Sequence, residues 1–412
     1  MTEVVVIGAG PAGLIAAEGL AGAGHVVSIY ERMPSPARKF LMAGRGGLNL
    51  THSEDFERLV TRYGPAQAIL EPALRAFTPD ALRQWAHGLG QETFVGSSGR
   101  IFPHSFKASP LLRAWLVRLG SLGVKLHTRH NWTGWDDVGA LVFAGPDGKT
   151  IARKPDATLL ALGGASWPRL GADGGWVSPL WERGIAITPL APANSGVEIG
   201  WTAFFRDKFA GEPLKRITVT AGGQTRRGEA VITRQGLEGG VIYALSPPIR
   251  QDIARHGAAE IHIDLKPDLT EAAVTAALAA PHGSQSLANH LRKALKLPPA
   301  AISLLREASG NRPHAEPQAL ARLIKQVPLT VSGQGGLERA ISTAGGIALD
   351  QIDAHFMLRS HPGLFAAGEM LDWEAPTGGY LLQACLATGV AAARGIDAWL
   401  RADAQKITSR PV

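Results

Sequence analysis

At 412 residues, 45% hydrophobic and 19% charged, the chain is too long for one ordinary core and suits two or three globular domains, with no apolar run long enough to predict a membrane span. A single cysteine, Cys385, excludes an internal disulfide, a CxxC redox pair and a cysteine-based zinc site, so any redox chemistry must come from a cofactor and no metal is expected. The balance of 42 Lys and Arg against 35 Asp and Glu, +7 in all, favours anionic partners such as nucleotides or RNA, or is no more than a mildly basic surface.

Glu3 stands before the apolar run Val4–Ile7 with no basic n-region, which argues against a secretory leader and for a cytoplasmic chain that starts at Met1. Thr2–Ile7 reads as a short buried strand. Gly8-Ala9-Gly10-Pro11-Ala12-Gly13 follows at once and opens the Ala-rich helical stretch Leu14–Ala21. In such a GxGxxG loop Gly8 permits the tight turn, Gly10 removes a side chain that would block a pyrophosphate, and Gly13 lets the helix pack on the strand. The helix N-terminus, with Pro11 and Ala12, then offers backbone N–H groups to phosphates. After a turn at Gly22–Gly24, His25–Tyr30 is the second strand; Glu31, followed by Arg32, stands where an adenosine ribose needs an acceptor.

Arg38 and Lys39 precede a second glycine cluster, Gly44-Arg45-Gly46-Gly47, and then Leu48-Asn49-Leu50-Thr51-His52. Such a loop brings amides and an Arg against a phosphate or a flavin ring, or is a flexible basic turn. Helices are expected at Ala66–Phe77, Pro79–Gly88 and Pro110–Leu122. Between the last two, Gly99–Lys107 carries an Arg, His and Lys cluster that lines the substrate face of a cofactor ring or is a surface loop. Ala157–Leu162 is an apolar strand ending at Gly163-Gly164-Ala165-Ser166, which returns the chain to a nucleotide site.

The chain changes character at Pro189–Pro192. Lys215–Ala221, Thr225–Thr233, Val241–Ser246 and Ala259–Leu265 read as strands, with Gly222-Gly223 as a hairpin turn, and predict a small antiparallel barrel or sheet. A helical insert follows: Thr270 caps Glu271–Ala279, Ser284 caps Gln285–Leu295, and Pro299–Ala308 and Pro317–Gln326 come next. Residues 266–325 hold eight Lys or Arg, including Arg312, against four acids, which makes either a solvated basic face or an RNA-contact surface. Val327–Val331 returns to the sheet and Ser342–Ile347 to the first domain. The expected division is 1–190 and 342–412 for one domain, 191–265 for a β domain, 266–327 for the helical insert and 328–341 for a return strand. Near the C-terminus a strand enters a tight turn at Gly368-Glu369, with Asp372 beyond. Gly378-Gly379-Tyr380 opens the apolar helix Leu381–Ala393, a second helix N-terminus for the cofactor. The tail after Arg401 is expected to be loose.

A strand leading to Gly-Glu about 360 residues after the first fingerprint is the arrangement of two-dinucleotide-fold flavoproteins. The ordered motifs Arg38-Lys39-Phe40 with Gly44–Thr51, Ala161–Pro168, Gly228-Glu229 with Thr233–Gly240, Thr343–Gly346 and Gly368–Gln383 resemble the BaiN/RdsA family of bacterial FAD-dependent oxidoreductases over nearly the whole chain. The resemblance implies an α/β fold: a two-dinucleotide-binding-type FAD (Rossmann-like) domain with an inserted antiparallel β-barrel domain and a small helical subdomain. It implies that Gly8, Gly10, Gly13, Glu31, Arg38, Lys39, Gly368 and Asp372 hold FAD, and that Gly378 and Gly379 with Gln383 approach the isoalloxazine. Pro11, Ala12, Arg32, Gly44, Arg45, Gly46, Gly47, Asn49, Thr51, Gly163, Gly164, Glu369 and Tyr380 complete the expected cofactor set. Two departures mark a divergent member: Leu48 stands where many relatives have Cys, and Gln235 where they have His.

FAD carries hydride at N5, so the protein must supply orientation, a proton and exclusion of water. With no Cys pair and no second GxGxxG, a pyridine-nucleotide disulfide reductase is disfavoured, and NAD(P)H is expected as a transient reductant. Reduction of a conjugated C=C bond needs a general acid, for which His104, Lys107 and Tyr380 are candidates, His104 first. The expected activity is reduction of an activated double bond in a small molecule. The resemblance implies two substrate classes, unsaturated steroid-like acids and a uridine of ribosomal RNA reduced to dihydrouridine. A monooxygenase and a flavin-bearing binding module without turnover are the alternatives. Cys385 reads as a buried small apolar residue rather than a nucleophile.

Overall fold

Val4, Val5, Val6 and Ile7 are four consecutive buried side chains, as expected of a strand covered on both faces, and they make β1 (Glu3–Ile7) the middle of a parallel sheet. The computed structural model describes residues 1–281, 283, 285–311 and 316–408, apart from the side chains of Arg45 and of residues 406–408. β1 leads through α1 (Pro11–Gly22) to β2 (Val26–Glu31); Arg38–Ala43 forms the short α2, and β3 (Lys125–Thr128), β4 (Ala157–Leu160) and β5 (Leu364–Ala366) complete the sheet. The order is β5-β4-β1-β2-β3, parallel throughout. Strands from both ends of the chain therefore share one sheet, and its C-terminal edge collects the loops after β1, β2 and β4.

Pro11 occupies the first helical position of α1, where its missing N–H leaves no gap. Ala12, Gly13, Leu14, Ile15, Ala16, Ala17 and Leu20 are buried, so α1 is enclosed rather than amphipathic. Its other neighbour is α3 (Tyr380–Thr408), whose Gly389 comes so close that a Cβ there would lie 2.5 Å from Ala12 O. The helix runs past Arg401, where a loose tail was expected; Arg401 pairs with Asp397 one turn back at 2.8 Å, and Ala402 and Ala404 are strong helix formers.

Two compact units are formed, Met1–Ala191 with the segment from Ser342 onward, and Pro192–Ile341. In the second, Pro213–Ala221 and Gln224–Ile232 form a hairpin across Gly222 and Gly223, both at positive φ. The ladder runs Val327–Val331, Ala259–Asp264, Pro213–Ala221, Gln224–Ile232, Gly236–Glu238, Val197–Glu198, Gly333–Gln334. Its first and last strands are one stretch of chain interrupted only at Ser332, so the ladder returns to its start and closes as a barrel. Helices Glu271–Ala279, Leu287–Leu295, Pro299–Ala308 and Pro317–Lys325 send Val274, Leu291, Leu304 and Ile324 into the same core as Val219, Ile261 and Val327. Barrel and helices therefore share one hydrophobic interior.

Two local expectations are corrected. Val241–Ser246 is not a strand but a helical turn, Gly240–Tyr243, leading into helix Ser246–His256. Val241, Ile242, Leu245 and Ile249 are all buried, the spacing of a helix face rather than of alternation, and Pro247 and Pro248 sit in a first turn that tolerates them. Helix Leu287–Leu295 is capped by Ser286, whose Oγ accepts from Asn289 N at 3.3 Å. Ser284, expected as the cap, and Arg312 lie outside the described residues.

Candidate functional site

The three glycines of the first loop meet three different constraints. Gly8 has φ 103°, and a Cβ there would lie 2.3 Å from Ala161 O on the loop after β4. A Cβ on Gly13 would come within 2.0 Å of Gly8 O, whereas nothing stands within 4 Å of one placed on Gly10. Gly8 and Gly13 are thus required by packing, and Gly10 keeps space open. That space belongs to a cleft lined by Gly8, Gly10, Pro11, Ala12, Glu31, Arg32, Arg38, Lys39, Gly163, Gly368 and Glu369 of the expected set.

Around the cleft several polar groups are buried without partners in the protein. Glu31 is satisfied: Oε2 accepts from Ala9 N at 3.0 Å and Oε1 from Met33 N at 2.8 Å, which ties the end of β2 to the glycine loop and leaves further lone pairs. Arg32 donates from Nη1 to Asp173 Oδ2 at 2.6 Å and Arg38 from Nη1 to Ser35 Oγ at 3.3 Å, yet the Nε of each is buried and unpartnered. The same holds for Trp132 Nε1. Trp132, with His130 and Asn131, lines the cleft just beyond β3 and was not among the expected residues. The third parallel strand ends there, at the edge where doubly wound sheets bind ligands, and that topology is the signal that could have found it.

Lys39 reaches Glu369 on the opposite terminus, its Nζ 2.9 and 2.8 Å from Oε1 and Oε2, and also donates to Ser166 Oγ. Glu369 Oε1 further accepts from Thr343 N at 3.0 Å, and Thr343 Oγ1 accepts from Ala165 N at 2.8 Å. Gly164 belongs to this packing, since a Cβ on it would lie 2.4 Å from Thr343 Oγ1. Gly368 N donates to Thr388 Oγ1 at 3.0 Å. Cys385 also lines the cleft; burial, and then the nearby Glu369 carboxylate, push its thiol well above the ordinary range, so it stays protonated.

The other expected residues do not line the cleft. Asp372 accepts from Thr188 Oγ1 at 2.6 Å. Gly44 packs on Ala108, Gly46 has open space, Gly47 faces the Phe106 ring, and the side chain of Arg45 lies outside the described residues. His104 and Lys107 are exposed on that same 104–107 loop. Thr51, Gly378, Gly379, Tyr380 and Gln383 gather at the first turn of α3, where Tyr380 stands about 7.5 Å of helix rise before Cys385, and Asn49 lies two residues before Thr51. A Cβ on Gly379 would lie 2.6 Å from Thr51 Cα, and Gln383 N donates to Gly379 O at 3.0 Å. Asn49 Oδ1, Thr51 Oγ1 and Gln383 Oε1 are buried without partners; because Gln383 Nε2 donates to Phe77 O at 2.6 Å, its orphan atom is the acceptor oxygen.

Beside them is a charged cluster invisible as a motif. Tyr380 donates its hydroxyl to Glu54 Oε1 at 2.5 Å, and Arg62 grips Glu54 at two points, Nε to Oε1 at 2.9 Å and Nη2 to Oε2 at 2.6 Å. Tyr63 Oη donates to Tyr380 O at 2.8 Å, and the His52 ring stacks on that of Tyr380 with centroids 5.4 Å apart. Burial, and then Glu54, push the Tyr380 phenol well above its usual range, which keeps it a neutral hydrogen-bond donor.

A phosphate loop on a parallel sheet, backed by a Gly-Glu turn from the opposite terminus, is the nucleotide-binding arrangement of FAD-dependent oxidoreductases, and this protein is one. The chain belongs to the HI0933-like protein Rossmann domain family, which matches residues 2–395. It is 26% identical over 428 aligned positions to 3-dehydro-bile acid delta(4,6)-reductase of Clostridium scindens, covering 96% of this chain and 98% of that one. It is 23% identical over 401 positions to ribosomal RNA dihydrouridine synthase of Escherichia coli, covering 92% and 94%. Among solved structures, E. coli quinol fumarate reductase FrdA shares the fold at 15% identity and a TM-score of 0.51, over 99% of this chain and 74% of that one. Among the described residues no helix is long and apolar enough to cross a membrane.

Proposed function

We propose that the protein holds FAD along this cleft and reduces an activated C=C bond of a small molecule, with NAD(P)H as electron donor. The open space over Gly10 carries the reading: a Cβ there meets nothing within 4 Å, at the N-terminus of α1 and in a cleft that runs past Glu31, Arg32, Arg38 and Lys39. On this reading Gly8, Gly10, Pro11, Ala12, Glu31, Arg32 and Arg38 hold the dinucleotide portion, and Gly378 and Gly379 approach the ring, while Thr51 and Gln383 have no exposed surface.

Bound FAD supplies hydride transfer; the chain supplies orientation and a proton. The reaction balances as C=C plus NAD(P)H plus H⁺ giving the saturated bond and NAD(P)⁺. Of the three candidate proton donors, Tyr380 belongs to the cluster beside Gly378 and Gly379, whereas His104 and Lys107 are exposed. The name of the C. scindens relative describes reduction of delta(4,6) double bonds, which supports the same reaction type here. The test is an anaerobic titration. The purified protein is expected to carry a flavin absorption band that NADH or NADPH bleaches and an unsaturated 3-ketosteroid restores. A protein that gains no flavin spectrum, or whose reduced form is reoxidised only by oxygen, overturns the proposal.

A second reading, reduction of a uridine in RNA, is supported by the likeness to the E. coli synthase and by exposed Lys293, Lys296 and Arg306 in the second unit. Against it, Arg322 pairs with Glu271 at 3.3 Å and Lys325 with Asp264 at 2.7 Å, which neutralises part of that face. RNA retention that falls steeply with salt is its expected signature, and no retention at low salt removes it.

A further inference from the structure

In the loop after β4, Leu170, Gly171 and Ala172 line the cleft together with Glu31 and Arg32, and a Cβ on Gly171 would lie 3.9 Å from Glu31 Oε1. Residues 167–173 carry turns of their own, with Leu170 N donating to Trp167 O at 2.8 Å and Gly171 N to Pro168 O at 3.0 Å. Trp167 takes φ 61°, a left-handed conformation that an aromatic residue keeps only where its surroundings hold it. Gly163 and Gly174, at φ 73° and 72°, flank the segment and give the chain a place to bend at either end.

Among the described residues, the hydrogen bonds that reach residues 167–173 from beyond this loop both come from Arg32, just past β2. Its Nη1 donates to Asp173 Oδ2 at 2.6 Å and its Nη2 to Pro168 O at 3.4 Å. Asp173 divides its two oxygens: Oδ1 accepts from Gly175 N at 3.0 Å and shapes the loop, whereas Oδ2 is left for Arg32. The acid that ends the second strand of such a fold accepts from the adenosine ribose, so the segment beside Glu31 belongs to the adenosine half of the cleft.

We infer that Asp173 is a positioning residue for the cofactor: paired with Arg32, it latches residues 167–173 over the adenosine half of the cleft, and the bound dinucleotide leaves when that ion pair opens. The inference rests on the reading that the cleft holds FAD. The side chains of Arg32 and Asp173 are 29% and 39% exposed, so water and salt screen the pair and its effect is a few-fold one. A latch of that strength suits a segment that must open to admit its ligand, because closing loops are drawn from the weakly held parts of a fold.

The experiment compares Asp173→Asn and Asp173→Glu with the wild-type chain. It reads the rate of FAD release by the rise of free-flavin fluorescence on dilution, amide exchange at 167–173 with and without FAD or ADP, and the melting temperature of the apoprotein. Asn keeps an oxygen for Gly175 N but offers Arg32 no anionic partner, so the loop keeps its turn and loses only the latch. Asp173→Asn is expected to release FAD about fivefold faster and to exchange faster at 167–173 with its melting temperature unchanged, and high salt should narrow its difference from the wild type. Asp173→Glu keeps the charge and should return most of the wild-type rate. In the wild-type chain, FAD and ADP, the adenosine half alone, should both slow exchange at 167–173. A wild-type release rate in Asp173→Asn overturns the inference. Exchange at 167–173 that bound FAD leaves unchanged also overturns it, and that measurement needs no variant to fold. A wild-type chain that binds no FAD sinks the functional reading as well, and the wild-type titration alone tells that failure apart.

Discussion

Lys39 Nζ stands within 2.9 Å of both carboxylate oxygens of Glu369, a residue 330 positions further along the chain. The pair joins α2 to the turn after β5, and through Thr343 and Ser166 it also holds the loop after β4. With the Lys39 side chain 25% exposed and that of Glu369 7%, the attraction is stronger than at an open surface but weaker than in a dry core.

Lys39→Met should therefore destabilise the apoprotein by about 2 kcal/mol, because it leaves the Glu369 carboxylate buried with Thr343 N as its remaining donor. Lys39→Met/Glu369→Gln should recover part of that loss, since the stranded charge is gone. Urea unfolding of the three proteins measures it, and a single variant with an unchanged midpoint and slope shows the pair to be inert.

Gly10 and Gly13 should behave oppositely. A Cβ on Gly10 meets nothing within 4 Å, so Gly10→Ala is expected to keep apoprotein stability within about 0.5 kcal/mol while losing FAD. Gly13→Ala places its Cβ 2.0 Å from Gly8 O and should unfold or strongly destabilise the chain before ligand is considered. Thermal melts of both apoproteins, with flavin content of the purified forms, separate the two. Equal melting temperatures would contradict the assignment.

Trp132→Phe tests the buried indole. Its N–H has no partner, so its removal is expected to leave the apoprotein as stable or about 1 kcal/mol more stable in urea unfolding. A variant that unfolds at lower urea would show that the N–H serves the fold.

The Glu54 cluster gives stability a predictable pH dependence. Burial works against ionisation of Glu54, but the hydrogen bonds from Arg62 and Tyr380 outweigh it and hold its carboxyl below the usual 4.5. A depressed folded value means a contribution fully present above about pH 4.5 and lost as pH falls through the folded value. Tyr380 has the opposite sign: its folded value is raised above 10, so its contribution is present below pH 10 and fades as pH climbs beyond. Unfolding free energy measured across pH should show a shallower acid slope in Glu54→Gln and a shallower alkaline slope in Tyr380→Phe, the remainder coming from groups such as Asp397 and Tyr63. Unchanged slopes would show that neither group is linked to folding.

Much of the local architecture was legible because its causes are local. The helix Glu271–Ala279 follows from its Thr270 cap, and the hairpin across Gly222 and Gly223 from the two residues that tolerate its turn. The run Val241–Ser246 misled because β-branched residues followed by an apolar one resemble a strand until the burial of Leu245 and Ile249 shows a helical period. Glu54 and Arg62 carried no signal, since they follow the second glycine cluster as ordinary charged residues of a helical surface.

By itself the sequence determined the phosphate loop: strand, glycines, helix, strand and acid act on neighbours within about thirty residues, so backbone freedom and side-chain volume suffice to specify the turn. It also determined that any redox chemistry must be borrowed, since one cysteine cannot make a redox pair. Only the tertiary structure decided that Lys39 meets Glu369, that Tyr380 meets Glu54, and that Trp132 lines the cleft with its indole N–H buried and unsatisfied. Those relations depend on hydrogen-bond geometry between side chains of separate segments, and no periodicity or spacing along the chain encodes which donor will face which acceptor once the sheet has formed.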